Sequence, residues 1–193
     1  MLSLSKTVVA LAVAALVATM PVSADANQLR PGTYEFNLKR SNARISVSGT
    51  LGTVRAALPV SRGTLEVSGD GRIRDADAVL NTRALRTRNS TAERQLKGRN
   101  GFDTANHPRV RFDATGIDHN GDLLTVTGNL TVKQVTRPIT LSGRIVRSNR
   151  RRVVAELEGT IDRMAFGVTA GRPFYGPTAT VKMRMVASLP RGR

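Results

Sequence analysis

From Thr33 to the end of the chain, apolar and polar residues alternate with a period of two, the spacing at which side chains fall on opposite faces of a β-strand. Tyr34, Phe36 and Leu38 share one face of a first strand, and Ile45, Val47 and Leu51 repeat the pattern. Leu65-Glu66-Val67 runs into Ser68-Gly69-Asp70-Gly71, where two glycines flank an aspartate and mark a turn. Ile73 to Leu80 follows as an unusually polar strand, with Asp75 and Asp77 alternating against Ala76, Ala78 and Leu80. Val110, Phe112 and Ala114 open the next strand, which closes through His119-Asn120-Gly121-Asp122 as a hairpin with an Asn-Gly turn. Leu124, Val126, Gly128, Leu130 and Val132 then share a face, as do Ile139, Leu141 and Gly143, and Val153, Ala155, Leu157, Gly159 and Ile161. The last strand presents Ala179, Val181, Met183, Met185, Ala187 and Leu189 on one side, with Lys182 and Arg184 on the other.

One segment breaks the period. Asn89-Ser90 can cap free backbone amides, and the residues that follow run as helix through Leu96 and Lys97 to Gly98. The sum is an all-β chain of about eight antiparallel strands and one short helix. A sheet of that size hides its edges by closing, so a β-barrel is expected. A barrel of eight strands is just wide enough either to be filled by its own side chains or to hold one small ligand, and that choice decides function.

The ends and the composition narrow the setting. Lys6, the apolar run Val8 to Met20, Pro21 and the small residues Val22-Ser23-Ala24 have the layout of a secretory signal peptide. The run is shorter than the ~20 apolar residues a membrane-spanning helix needs. A leader over 1–24 and a single exported, periplasmic domain over 25–193 are expected. The chain has no cysteine, so neither a disulfide nor a lipoprotein anchor can form. Its net charge is +16, of which the leader carries only Lys6. Such charge keeps a domain dispersed and also attracts it to an anionic membrane surface. Nucleic acid is disfavoured as a partner: aromatic residues make up only 4% of the chain, leaving few rings to stack on bases, and no recognisable nucleic-acid-binding motif is present.

Three separated motifs then carry a resemblance. The hairpin LTVKQVTRPITL, Leu130 to Leu141, is preceded by Leu96-Lys97-Gly98, Phe102-Asp103 and Pro108, where the YceI-like family has its helix "HL+S", then "FFD", then "YP". Ile161 to Val168, IDRMAFGV, resembles that family's "IN+.DFG". The resemblance spans Gly32 to Leu189. It implies a lipocalin-like barrel that holds a polyisoprenoid or similar lipid, with the helix and the Phe102 segment covering one end, and it does not imply catalysis. The chain departs from the family at Gly101 in place of the first Phe, Tyr34 in place of Trp, Asn42 after Ser41 in place of His, Gln95 in place of the helix His, and Ala92-Glu93 in place of "RD". A smaller or differently shaped cavity is expected from these changes.

Candidate chemistry is sparse. The two histidines, His107 and His119, lack ligand spacing and there is no cysteine to join them, so no metal site and no cofactor are expected. No GxSxG elbow surrounds any serine. Asp75 and Asp77 share a strand face as paired acid-base groups sometimes do, but beside Arg72, Arg74 and Arg83 they read more simply as a solvent-facing row. An enzyme is therefore not expected, and an ester hydrolase is only a third reading.

An apolar, unreactive interior is what a lipid carrier requires. The expected lining comprises Phe36, Ile45, Val47, Leu96, Phe102, Phe112, Leu130, Val132, Leu141, Phe166, Val181, Met183 and Met185, although the strand pattern alone fits plain core equally well. Arg88, Asn89, Arg94 and Lys97 are the head-group candidates, at the helix that the resemblance places over the barrel end. The alternative is an envelope stress or structural protein with a filled barrel that binds anionic surfaces through its basic exterior. An uncovered edge strand would allow pairing into a homodimer.

Overall fold

A computed structural model describes residues 28–191, so the expected leader lies outside the described residues. The strands are β1 (Gly32–Phe36), β2 (Asn42–Gly49), β3 (Gly52–Val67), β4 (Ile73–Asn81), the two-residue β5 (Arg86–Thr87), β6 (Arg109–Asn120), β7 (Leu123–Val132), β8 (Val135–Asn149), β9 (Arg152–Asp162) and β10 (Thr178–Ser188). The helix α1 spans Ser90–Lys97, and a short 3-10 turn covers Met164–Phe166. Every pairing is antiparallel. The order β10-β2-β3-β4-β6-β7-β8-β9 returns to β10 and closes an eight-strand barrel.

β1 and β2 together fill one position in this ring. β2 lies between β10 and the first half of β3, while β1 lies between the end of β10 and residues 64–67 of β3. The interruption between them is sealed by Ser41, whose buried hydroxyl accepts from Val186 N and donates to Val186 O. A side chain thus supplies what a missing strand residue would have supplied, as buried backbone groups require.

Closure removes the continuous edge on which pairing into a homodimer was to rest. A short seam remains, because β8 pairs with β9 only from Ser142 onward. Pro138, which has no N–H to give, faces Asn129 of β7 at that seam, and Arg137 Nε donates to Ala165 O of the 3-10 turn across it.

The first half of β3 falls outside the strands read from the sequence. Val54, Ala56, Leu58 and Val60 do alternate inward, but Pro59 interrupts them. The structure tolerates that proline because Asn42 to Pro59 is the last pair of the β2–β3 ladder. The hairpin after β6 is also shifted by one residue: Asn120 pairs with Leu123, so Gly121, at φ +60, and Asp122 make the turn. α1 begins and ends as expected, with Asn89 accepting from Ala92 N and Gly98 N donating to Arg94 O.

Candidate functional site: a cavity in the open half of the barrel

The two ends of the barrel differ. At one end gather the turns at 68–71, 121–122 and 150–151, and this end is shut. Tyr34, fully buried, donates through its hydroxyl to the carbonyls of Arg30 and Arg150, 2.9 and 3.2 Å away. Burial raises its pKa above the ordinary tyrosine value, so it remains a donor through the neutral range. Arg151 donates from Nη2 to Leu189 O and Pro190 O and latches the chain end over the same spot.

Side chains fill the half above this plug. Phe36 lies against Gly63 and Phe112 against Gly128, each ring so close that a Cβ on the glycine would meet it within 2.4 and 2.6 Å. Leu65, Leu157 and Met185 complete the packing and leave a void of only about 20 Å³.

At the other end lie α1, the β2–β3 turn and the loop 167–177, and here the barrel is hollow. A cavity of about 1010 Å³ opens between them, at the upper end of the range for small-molecule sites. The reason is side-chain size along the inward rows. β10 presents Ala179 and Val181 near the mouth before Met183 and Met185, and β2 presents Val47, Ile45 and Ala43. Phe112, Leu141 and Met183 touch both the cavity and the small void, so they form the floor.

Ile45, Val47, Leu96, Phe102, Phe112, Leu130, Val132, Leu141, Phe166, Val181 and Met183 all line this cavity. Phe36 and Met185 do not: they point inward but lie beneath the floor, in the filled half. Alternation sets which face a residue takes and says nothing of its depth along the barrel.

The head-group candidates need a larger correction. Asn89 reaches the cavity, but its side-chain oxygen is engaged in capping α1. Arg88, Arg94 and Lys97 are not in the lining. Lys97 instead pairs with Glu93 at 2.7 Å, and Arg94 reaches Thr91. Helical geometry is the cause, since Ala92, Gln95 and Leu96 occupy the cavity side of α1 and turn Arg94 and Lys97 elsewhere.

The cations that do line the cavity are Arg99, Arg163 and Arg172, and no carboxylate lies among its lining residues. Arg163 is 5% exposed and all its reach is spent on backbone: Nε donates to Gly176 O, Nη1 to Val168 O and Ala170 O, Nη2 to Tyr175 O, at 2.7–2.8 Å. Burial, and then the nearby Arg172, lower its pKa below the usual arginine value. It is a clamp that shapes the mouth loop. Its signal in the sequence was the single basic residue of IDRMAFGV.

The rest of the rim is tied as closely. Asn100 O accepts from Thr169 N and Ala170 N, and Lys133 Nζ donates to Arg99 O and Gly167 O. Gly101, where the resemblance expects a phenylalanine, sits so near the end of α1 that a Cβ would lie 2.0 Å from Leu96 O. His107 lies half-buried just before β6, 3.9 Å from Asp103. Among the described residues, no group of three or more His, Cys, Asp and Glu is placed to hold a metal.

A family model described as YceI-like domain matches residues 34–187. The chain belongs to the YceI-like family. A UPF0312 protein of Yersinia pestis (strain Pestoides F) is 33% identical over 69 residues, 36% of each chain. Protein YceI of Escherichia coli O157:H7 is 28% identical over 97 residues, 48% of this chain and 51% of that one. The chain thus spans about a third to a half of the length of these curated relatives.

Among solved structures, BcnA of Burkholderia cenocepacia superposes with a TM-score of 0.70 at 19% identity, over 79% of this chain and 99% of that one. A polyisoprenoid binding domain from Saccharophagus degradans superposes with a TM-score of 0.64 at 14% identity, over 81% and 98%. These likenesses show the YceI-like barrel with its single short helix.

Proposed function

We propose that this YceI-like protein binds one polyisoprenoid chain, or a similar amphiphile, in the open half of its barrel, and carries or stores it in the periplasm after export through a cleaved leader. The observation that carries the reading is the deep apolar cavity with a mouth at one end and no carboxylate in its lining. The neighbour described as a polyisoprenoid binding domain supports the same cargo class. Binding, rather than bond making, is the whole of the chemistry.

Burial of apolar chain gains about 0.8 kcal/mol per CH2, hence roughly 4 kcal/mol for each five-carbon unit. Association costs about 4–15 kcal/mol in lost freedom. One or two units therefore gain too little, and prenols of about four units or more are the expected ligands. Native mass spectrometry of gently purified protein tests this. A hydrophobic small molecule held one to one is the expected result. Its consistent absence, together with failure to take up added polyprenol, would move the reading to a structural envelope role.

A further inference from the structure

The large apolar side chains exposed among the described residues are Leu38, Leu51, Leu123, Val146 and Phe174. Leu51 and Phe174, 65% and 50% exposed, alone among these also line the cavity. The segments that carry them are joined, because Thr50 N donates to Phe174 O at 3.0 Å and Gly49 bridges to Tyr175. Gly49 permits that approach, since a Cβ there would lie 1.9 Å from Phe174 O.

Two exposed cations line the same cavity, Arg172 two residues before Phe174 and Arg99 on the loop that follows α1. Neither takes part in an ion pair among the described residues. The carboxylate of the mouth helix, Glu93, is engaged by Lys97 and Arg86. The rim thus joins an apolar tip to uncompensated guanidinium groups, the pairing by which interfacial segments hold to anionic bilayers.

The geometry points to the open mouth as a membrane-docking face, with Leu51 and Phe174 entering the headgroup region of an anionic bilayer and Arg99 and Arg172 meeting its phosphates. A bilayer is chosen over a protein partner because Leu51 and Phe174 line the same cavity as the floor residues Phe112, Leu141 and Met183, so a docked mouth would open that cavity directly onto the lipid. That choice rests on the reading of the cavity as a lipid site. Leu123 and Val146 are exposed near the shut end and have no such connection, which makes that end the natural control.

Co-sedimentation of the purified protein with phosphatidylcholine vesicles, with and without phosphatidylglycerol, tests the docking. The protein is expected to pellet with the anionic vesicles at low salt and to be released as salt rises. Leu51→Ser/Phe174→Ser, and separately Arg99→Gln/Arg172→Gln, are each expected to weaken binding about tenfold. Leu123→Ser and Arg147→Gln/Arg150→Gln at the shut end are expected to leave it within about twofold, since charge acts locally.

No binding to anionic vesicles would overturn the proposal, and so would equal losses from both ends. The arginine pair keeps the test open should the apolar pair fail to fold. Wild-type protein that takes up polyprenol yet ignores vesicles would sink the docking and spare the cargo; vesicle binding through the mouth without polyprenol uptake would do the reverse.

Discussion

The two halves of this barrel are built from the same strands and the same inward alternation, yet one is solid and the other hollow. In the shut half the inward positions are Phe36, Leu65, Leu157 and Met185, with Phe36 and Phe112 seated over glycines and Tyr34 plugging the end. In the open half the same rows carry Ala43, Val47, Ala179 and Val181, and the loops at the mouth are pinned to one another through backbone. Closure of the sheet therefore does not determine whether a barrel stores its stability or its function in a given layer. Side-chain volume does.

The sharpest contrast is in the cost of truncation. Leu65, fully enclosed in the shut half, should lose about 2–5 kcal/mol of stability as Leu65→Ala, while Val181→Ala at the cavity wall should lose about 1 kcal/mol or less, because one side of Val181 already lacks packed neighbours. Chemical denaturation of the two variants measures this, and equal losses would break the comparison.

Arg163→Gln comes next. Removal of hydrogen bonds from one buried guanidinium to four carbonyls should cost about 3 kcal/mol. Hydrogen exchange should rise first at residues 168–176 and leave β4 and β6 protected. Exchange that rises uniformly would show that the mouth loop is not a separate unit.

Gly101→Ala tests the rim from the other side. Its Cβ cannot fit beside Leu96 O, so α1 or the loop after it must move, at about 1–3 kcal/mol. Melting that stays at the wild-type temperature would mean that the close approach is not needed.

Much of this was legible in the sequence, for reasons that particular residues make plain. The strands repeat a period of two between strong turn residues, and Asn89 and Gly98 bracket the helix, so the ring and its one helix could be read. The first half of β3 could not, because Pro59 and small alanines blur an alternation that only the ladder's end explains. The inward face of Phe36 and Met185 was readable but their depth was not, since depth depends on where the floor forms across the barrel. Which cations line the mouth was not readable, because the turn of α1 carries Arg94 and Lys97 away from the cavity while Arg99 and Arg172 reach it from loops. Arg163 looked like one more charge on a basic chain until its carbonyl partners were in place.

A smaller effect marks the shut end. Asp70 has its pKa lowered from 3.8 to about 2, first by the Ser68 hydroxyl and then by the Arg72 N–H. A carboxyl depressed in the folded state contributes stability above its unfolded pKa and loses it as pH falls through the folded value. The turn at 68–72 should thus loosen only as pH falls from about 4 toward 2, and carboxyl titration by NMR would follow it. A midpoint near 4 would contradict the assignment.

The central claim is that an apolar chain occupies the open half alone, and filling that half tests it most directly. Titration of a long-chain polyprenol into wild-type protein and into Ile45→Phe/Val181→Phe, followed by native mass spectrometry, should give a one-to-one complex with the first and little or none with the second, while both remain folded. Undiminished binding by the filled variant, or none by the wild type, would contradict the account.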